Sequence, residues 1–357
     1  MTGEKALRGV DPLRLEPWLA ARLPDAQAPF EYALIAGGHS NLTFQVSDAA
    51  GQRWVLRRPP IGASGVGAHD MAREHRIQQA LARSDVPIAS MVALCTDPVI
   101  NDAPFYIMDF VDGVVVDRPS RVQTWLPDRE QRSAAADSLV DAMAAMHRVD
   151  LQQVGLSVLG RSGDYVARQL RRMRKVWDDT KTRELPLIES VGETLSRFIP
   201  AENRTSLLHG DFRLGNVMLD KRTHRVSAVL DWELAALGDA RVDLAFLLCS
   251  WDQPDDPSPG VWMEEAPTRA GGFPSRDTLV VRYATQSGMG EDAVRDIDYF
   301  CALAYWRIAI IAEGIKRRYL SGAMCKDADM DAIERRIHAR AERAAHYLDL
   351  AQRRRGA

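Results

Sequence analysis

The sequence predicts an α+β fold in which a small antiparallel sheet lobe is followed by a larger, mainly helical lobe. Short runs rich in β-branched and aromatic residues alternate with glycine-containing turns in the first third of the chain, and helical periodicity dominates after Gly113. With 357 residues, 46% of them hydrophobic and 27% charged, the chain is long enough for two hydrophobic cores. We assign residues 1–110, with a leading helix, to the sheet lobe and residues 111–357 to the helical lobe.

Three consecutive strands are predicted near the start of the chain. They cover Glu31–Ile35, Asn41–Val46 and Arg53–Arg58, with turns at residues 36–40 and 48–52 between them. This order of strand, turn, strand, turn and strand is typical of an antiparallel sheet.

The first of these turns has the composition of a phosphate-binding loop. Gly37 and Gly38 allow a ligand to approach the main chain closely, and the amides of His39, Ser40 and Asn41 could then cup phosphate oxygens. A plain hairpin turn explains the same glycines. The phosphate interpretation therefore depends on where the turn lies in the fold.

A helix is predicted at Met71–Leu81, and it carries Glu74. Glu74 is the natural carboxylate partner for Arg57 on the third strand, and an ordinary solvated helix charge is the alternative. A further strand is predicted at Phe105–Phe110, and residues 111–113 break it where the chain crosses between lobes. Long helices are predicted after this break, at Asp128–His147, Gly163–Lys181, Asp277–Gly288, Ala293–Tyr319 and Asp327–Arg353.

The segment His209–Asn216 holds the residues with the clearest chemical signature. Asp211 and Asn216 lie between the apolar runs 206–208 and 217–219, where a short hairpin-like turn would present both side chains to one cleft. Carboxylate and amide oxygens at this spacing are the equipment of phosphoryl transfer, which requires positioning and neutralisation of charge.

A second carboxylate, Asp231, follows the strand-like run Val226–Leu230. Because magnesium prefers carboxylate and amide oxygens together with phosphate and water, Asn216 and Asp231 suit the metal, and Asp211 is left to orient the acceptor hydroxyl. A tight turn is the alternative explanation for His209–Asp211. A further run with acidic residues follows at positions 238–245. The order of these segments along the chain favours the catalytic interpretation. In that interpretation Asp243 braces the loop.

These segments resemble the aminoglycoside phosphotransferase and choline kinase superfamily of small-molecule kinases, and the likeness spans most of the chain. The chain is most similar to the branch that also occurs fused to acyl-CoA dehydrogenases, through residues 54–60, 105–113 and 209–216. The resemblance implies a bilobal protein-kinase-like fold, with Asp211 as catalytic base and Asn216 and Asp231 as magnesium ligands. Arg213 then falls where many protein kinases carry a lysine that touches the transferring phosphate.

The resemblance also implies an adenine site on the main chain near Met108 and Phe110. Recognition through the main chain leaves no side-chain signature, so the choice between ATP and GTP stays open. Arg57 departs from the family, which usually places a phosphate-binding lysine there. A planar guanidinium differs in shape from an ammonium group, and a nucleotide-binding regulator that has lost catalysis is therefore the alternative to an enzyme.

Charge and cysteine content narrow the class of partner. A net charge of −3 argues against bulk nucleic-acid binding, and no apolar run approaches the length of a membrane span. The amino terminus lacks a secretory signal pattern, and the four cysteines are widely scattered, which suggests reduced thiols and a cytoplasmic location. Cys249 and Cys301 lie in apolar helical stretches and are expected in the core. The sequence does not predict the oligomeric state.

The acceptor is the least constrained feature. The run Arg168–Lys175, with Arg317 and Arg318, could attract an anionic acceptor, and a solvated basic face is the alternative. The loop Trp251–Pro274 could cover the acceptor or be irregular surface. We prefer a hydroxylated metabolite such as a hydroxyacyl-CoA. An aminoglycoside or amino-alcohol is the runner-up, since the loop contains the carboxylates of Asp252, Asp255, Asp256, Glu264 and Glu265.

Overall fold

The computed structural model describes residues 8–36, 41–62, 69–160, 163–256, 265–324 and 328–356. The strands within these residues are β1 (Glu31–Ala36), β2 (Leu42–Ser47), β3 (Arg53–Arg58), β4 (Met91–Cys95), β5 (Phe105–Asp109), β6 (Thr205–Leu208), β7 (Val217–Leu219), β8 (Val226–Val229) and β9 (Ala236–Asp239). The helices are α1 (Pro12–Ala20), α2 (Met71–Leu81), α3 (Pro98–Asn101), α4 (Pro119–Trp125), α5 (Arg129–Arg148), α6 (Tyr165–Thr180), α7 (Pro186–Arg197), α8 (Arg241–Ser250), α9 (Arg276–Gln286), α10 (Ile297–Leu320) and α11 (Met330–Gly356).

The chain divides into two compact units. The first comprises Met1–Asp112 together with Ser227–Leu234, and the second comprises Gly113–Val226 together with Ala235–Ala357. The first unit carries an antiparallel sheet with strand order β1-β2-β3-β5-β4 and helices α1 to α3, and the second carries α4 to α11. The predicted α+β class, a small sheet lobe with a larger helical one, is confirmed.

Strand β3 lies in the middle of the five-stranded sheet. In register, Arg57 faces Thr43 of β2 on one side and Tyr106 of β5 on the other. Helix α1 contributes to the apolar core of this unit, where the ring of Trp18 meets that of Phe105 at a centroid distance of 4.9 Å. The main chain of Arg57 is therefore fixed by pairing on both sides, which limits where its guanidinium can reach.

The second unit corrects one prediction about the segment after β6. The hairpin-like turn predicted between residues 206–208 and 217–219 is wrong, because β6 pairs with β9, with Leu208 opposite Ala236. Leu214–Asn216 forms a 3-10 turn that leads into β7. Three of the four β6 residues are buried. A buried strand pairs with a strand that is buried beside it, even when the two are far apart along the chain.

Most predicted elements are present, with ends that differ by a few residues. Helix α7 is absent from the predictions, although Pro186 opens it and its buried residues Ile188, Val191 and Leu195 have helical spacing. None of the helices that the structure describes is both long and apolar enough to cross a bilayer. Cys249 and Cys301 are buried free thiols, which confirms their predicted place in the core.

Two helical glycines give a matched test of packing in the second unit. A Cβ at Gly192 of α7 would lie 2.7 Å from Cζ2 of Trp306, whereas a Cβ at Gly314 of α10 would lie no closer than 3.7 Å to Thr180. The Trp306 ring is buried and pinned, because its Nε1 donates to the Ile188 carbonyl at 2.8 Å. We expect Gly192→Ala to lower the free energy of unfolding in urea by about 1–3 kcal/mol. Gly314→Ala should raise it by about 0.5–1 kcal/mol through helix propensity. Equal effects of the two substitutions would contradict this packing.

Candidate active site

A buried carboxylate holds the loop that follows β6. The main-chain amides of His209 and Gly210 donate to Asp243, at 2.6 Å to Oδ2 and 3.0 Å to Oδ1. Gly210 has a φ of +86°, a conformation that suits glycine. Asp243, in the first turn of α8, is fully buried. Its predicted bracing role is confirmed.

A histidine that the sequence analysis did not single out contacts the same carboxylate. The Nε2 atom of His147 lies 3.4 Å from Asp243 Oδ2, and its Nδ1 lies 2.7 Å from the hydroxyl of Tyr283. Burial by itself would raise the pKa of Asp243, but His147 and His209 and the hydrogen bond from the His209 amide lower it below its ordinary value. The carboxylate is thus held in its charged form.

Asp211 and Asn216 are joined directly. The Nδ2 group of Asn216 donates to the main-chain oxygen of Asp211 at 2.8 Å and to its Oδ2 at 2.7 Å. The 3-10 turn brings these side chains together across five residues. With both Nδ2 hydrogens committed, the atom of Asn216 suited to a hard cation is Oδ1.

Arg213 lies beside the same carboxylate and reaches a cavity. Its Nε is 3.4 Å from Asp211 Oδ1. A Cβ at Gly215 would fall 2.3 Å from Nη1 of Arg213, so any larger residue there would displace the guanidinium from its present position. Arg213 and Gly215 line a cavity of about 320 Å³ within the second unit, together with Asp117, Trp251, Glu265 and Thr268.

The first unit contains a second charged cluster, centred on Arg57. The Nε of Arg57 donates to Glu74 Oε2 at 3.1 Å, and its Nη2 donates to Asp231 Oδ1 at 2.5 Å. The predicted partnership of Arg57 with Glu74 is confirmed. The contact with Asp231 was not predicted, because nothing in the local sequence links positions 57 and 231.

Glu74 is held by further donors. Its side chain is 2% exposed, and it accepts hydrogen bonds from Asn41 Nδ2 at 3.0 Å and from the Tyr106 hydroxyl at 3.1 Å. Burial raises the pKa of Glu74, although Arg57 opposes this change. Burial also disfavours the charged form of Arg57, but Tyr106, Glu74 and Asp231 outweigh it and raise the pKa of Arg57. The guanidinium therefore stays charged, and it compensates two carboxylates.

Asp231 follows β8 with a φ of +65°, in the left-handed region that aspartate adopts more often than most other residues with a side chain. Two residues later, Glu233 Oε2 accepts a hydrogen bond from Asn41 Nδ2 at 3.3 Å. Asn41 therefore connects the start of β2 to both Glu74 and the segment after Asp231.

The remaining predicted nucleotide-binding residues are located as follows. Gly37, Gly38, His39 and Ser40 lie outside the described residues. Met108 sits inside the sheet, in register with Val55 and Met91. Phe110 follows the end of β5, and the guanidinium of Arg53 covers its ring at 4.1 Å. Met108 therefore lies within the paired part of β5, whereas the main chain of Phe110 lies beyond the end of the strand.

The donor atoms suit a magnesium ion that is bound mainly by nucleotide phosphates and water. Among the described residues, no group of three or more His, Cys, Asp or Glu side chains could hold a metal on its own. Asn216 offers an amide oxygen in the second unit, and Asp231 offers a carboxylate in the first. Magnesium commonly binds through one or two such groups plus phosphate, so each of the two residues is of a kind that the metal accepts.

Two cations at the end of the basic run on α6, Arg174 and Lys175, form local ion pairs. Arg174 pairs with Asp178 at 3.3 Å and Lys175 with Asp179 at 3.0 Å, each one helical turn apart. Pairs of this kind are typical of a solvated helix face. The structure favours that interpretation over an acceptor site at this run.

Comparison with known proteins assigns the family. The model of the phosphotransferase enzyme family matches residues 31–276, and the chain belongs to this family. A crystal structure from Ralstonia eutropha, provisionally assigned as an aminoglycoside phosphotransferase, is 32% identical, with a TM-score of 0.79 over 95% of this chain and 98% of that one. The mouse protein acyl-CoA dehydrogenase family member 10 is 32% identical over 312 residues, which are 86% of this chain and 28% of the mouse protein.

A more distant structure shares the fold alone. It is a thermostable mutant of aminoglycoside phosphotransferase APH(4)-Ia in a ternary complex with AMP-PNP and hygromycin B. It is 15% identical, with a TM-score of 0.59 over 93% of this chain and 99% of that one. The protein-kinase-like fold and the likeness to the branch found with acyl-CoA dehydrogenases are confirmed. The chain spans less than half the length of the curated relatives it matches.

The brace at Asp243 yields a prediction about stability. Asparagine in its place would turn an NH₂ group toward one of the two main-chain amides and leave a buried donor unsatisfied. We expect Asp243→Asn to lower the free energy of unfolding by about 2–4 kcal/mol, measured by urea denaturation at neutral pH. Asp178→Asn, on the exposed face of α6, should cost less than about 0.5 kcal/mol.

The same carboxylate should make stability depend on pH. The folded-state pKa of Asp243 lies below its ordinary value of 3.8, so its contribution is present above that value and is lost as the pH falls through the folded pKa. In Asp243→Asn this acid-dependent loss should be smaller than in the wild type. A variant as stable as the wild type at neutral pH would contradict the brace.

Proposed function

We propose that the protein transfers a phosphoryl group from ATP to the hydroxyl group of a small molecule, with magnesium as cofactor. The observation that carries the proposal is the pairing of Asp211 with Asn216 on a loop that Asp243 holds from behind. A carboxylate fixed in this way is suited to accept the proton of a hydroxyl group and to align it for attack. The family match supports the reaction class.

The roles of the charged residues follow from their donor atoms. Asp211 orients the acceptor hydroxyl and takes its proton, and Arg213 stabilises the negative charge that develops on the transferred group. Asn216 Oδ1 and the Asp231 carboxylate hold magnesium, which when bound offsets the charge of the nucleotide phosphates. Arg57, anchored on Glu74, binds phosphate oxygens.

Two observations support ATP as the nucleotide. The related fold with AMP-PNP binds an ATP analogue, and the first unit of this chain places a charged guanidinium on its central strand. We propose that Phe110 presents its main chain to the adenine ring. The glycine turn at Gly37 and Gly38, with the amides of His39 to Asn41, would then cover the phosphates.

We propose that the cavity beside Arg213 receives the acceptor. Asp117, on its wall, is held by Arg118 through two contacts of 3.0 Å, and Arg121 lies at 3.8 Å. Three guanidinium groups, those of Arg118, Arg121 and Arg213, accompany three carboxylates, namely Asp117, Glu265 and the Asp211 that Arg213 contacts. The cavity therefore has no surplus of negative charge for a polycation, and we propose a hydroxylated metabolite such as a hydroxyacyl-CoA as the acceptor.

An aminoglycoside is the second candidate, and the structure supports it less. A polycation needs several available carboxylates, but Asp252 pairs with Arg269 at 3.2 Å, and both oxygens of Asp256 contact Arg276. Glu264 lies outside the described residues. Two of the acidic residues that the sequence offered for such an acceptor are thus already neutralised.

The base assignment predicts a specific loss of turnover. Asp211→Asn should lower kcat by about 10²–10⁴-fold, because the amide cannot accept the hydroxyl proton, while the Kd for ATP changes little. Transfer of labelled γ-phosphate from ATP to hydroxyacyl-CoAs, amino-alcohols and aminoglycosides measures both the rate and the acceptor class. Asp220→Asn, a matched substitution in the turn after β7, should keep full activity.

Two results would overturn the proposal. If Asp211→Asn retained wild-type turnover, Asp211 would not be the base. If the wild type bound nucleotide without magnesium and transferred phosphate to none of the compounds, the nucleotide-binding regulator would be the better description.

A further inference from the structure

Arg57 holds two carboxylates through two different nitrogen atoms. Its Nε and Nη2 atoms bond to carboxylates on two different segments, Glu74 of α2 and Asp231 after β8. The two nitrogens lie on one edge of a planar group, so both bonds form together. A lysine has a single nitrogen, which cannot reproduce these two separate, fixed directions.

The two ends of this bridge differ in how firmly they are held. Glu74 is 2% exposed and also accepts bonds from Asn41 and Tyr106, so its position is fixed by three donors. The Tyr106 hydroxyl is itself bonded by Gln78 Nε2 at 3.3 Å. The Glu74 end is therefore a permanent anchor for Arg57.

The Asp231 end is open to exchange. The Asp231 side chain is 30% exposed, against 13% for Arg57. A phosphate oxygen is a strong partner for a guanidinium and can replace a carboxylate there. While the bridge is closed, however, the charge of Asp231 is compensated, and a cation that approaches it meets the positive charge of Arg57.

We propose that Arg57 is a latch on Asp231 that couples metal binding to nucleotide binding. Without nucleotide, Arg57 occupies Asp231 and weakens its affinity for a divalent cation. When phosphates bind, the guanidinium keeps its Nε bond to Glu74, transfers its Nη end to a phosphate oxygen and releases Asp231 to the metal. This inference rests on the proposed function, and it assigns to Arg57 a positioning role beyond phosphate binding.

Binding of Mn²⁺ alone, followed by electron paramagnetic resonance of the free ion, tests the latch on the full chain without nucleotide. Arg57→Lys keeps the charge but loses the fork, so Mn²⁺ should bind about fivefold or more tightly than to the wild type, within the usual range of coupling between sites. Arg57→Gln removes the charge and should also bind more tightly. Arg76→Lys, on the exposed face of α2, should match the wild type.

The comparison of the two Arg57 variants separates contact from charge. If Arg57→Gln binds Mn²⁺ more tightly but Arg57→Lys does not, the effect is that of the electric field alone, and the latch is wrong. Equal affinities for all four proteins contradict it as well.

A second measurement decides the matter if Mn²⁺ alone binds too weakly to follow. Calorimetric titration with ADP, with and without Mg²⁺, gives the coupling between metal and nucleotide, which should fall about fivefold or more in Arg57→Lys. Unchanged coupling would overturn the latch. If ADP binds to none of the proteins, the proposed function and the coupling both fail, whereas tighter Mn²⁺ binding by Arg57→Lys, where it can be measured, would still show that Arg57 blocks Asp231.

Discussion

The buried carboxylate of Asp243 is the constraint on which the loop at residues 209–216 depends. A fully buried charge is stable only if hydrogen bonds replace the water it has lost, and here two successive main-chain amides and His147 do so. Those amides belong to residues 209 and 210, immediately before Asp211, so satisfying the buried charge also sets the direction in which Asp211 leaves β6. The bonds from Asn216 then fix the carboxylate of Asp211 itself. The contacts that stabilise the buried charge thus also fix the position of Asp211, the residue proposed as the catalytic base.

The first unit also contains a buried carboxylate, that of Glu74. Glu74 is almost entirely buried, and Arg57, Tyr106 and Asn41 together supply the donors that keep it in place. Arginine instead of lysine at this position adds a second nitrogen, and the structure uses it to reach Asp231. Arginine in place of lysine at position 57 therefore does not need to mean loss of catalysis. In the proposed latch, the guanidinium keeps its bond to Glu74 while its other nitrogen exchanges Asp231 for a phosphate oxygen.

The sequence predicts the local elements, but among contacts between distant residues it predicts only a few, such as the brace of Asp243 on residues 209 and 210. The strands around Arg57, the helix of Glu74 and the catalytic segment follow from short patterns of apolar, glycine and acidic residues, and the structure contains them. The pairing of β6 with β9, the contact of Arg57 with Asp231 and that of His147 with Asp243 each join residues at least 28 positions apart. Such pairs depend on which surfaces become buried together, and no local pattern records this. For the cavity beside Arg213, the loop Trp251–Pro274 was one candidate, and its residues Trp251 and 265–268 do line the wall, but the contributions of α8 and residues 213–215 could not be predicted.

We propose that Asn216 and Asp231 bind a metal that accompanies a nucleotide. The most direct test is a crystal structure of the protein grown with Mn²⁺ and AMP-PNP, with anomalous scattering used to locate the metal. The account predicts a manganese peak bonded to the Asp231 carboxylate and to Oδ1 of Asn216, with Arg57 on a phosphate oxygen and still bonded to Glu74. Nucleotide bound with manganese on neither residue would contradict it.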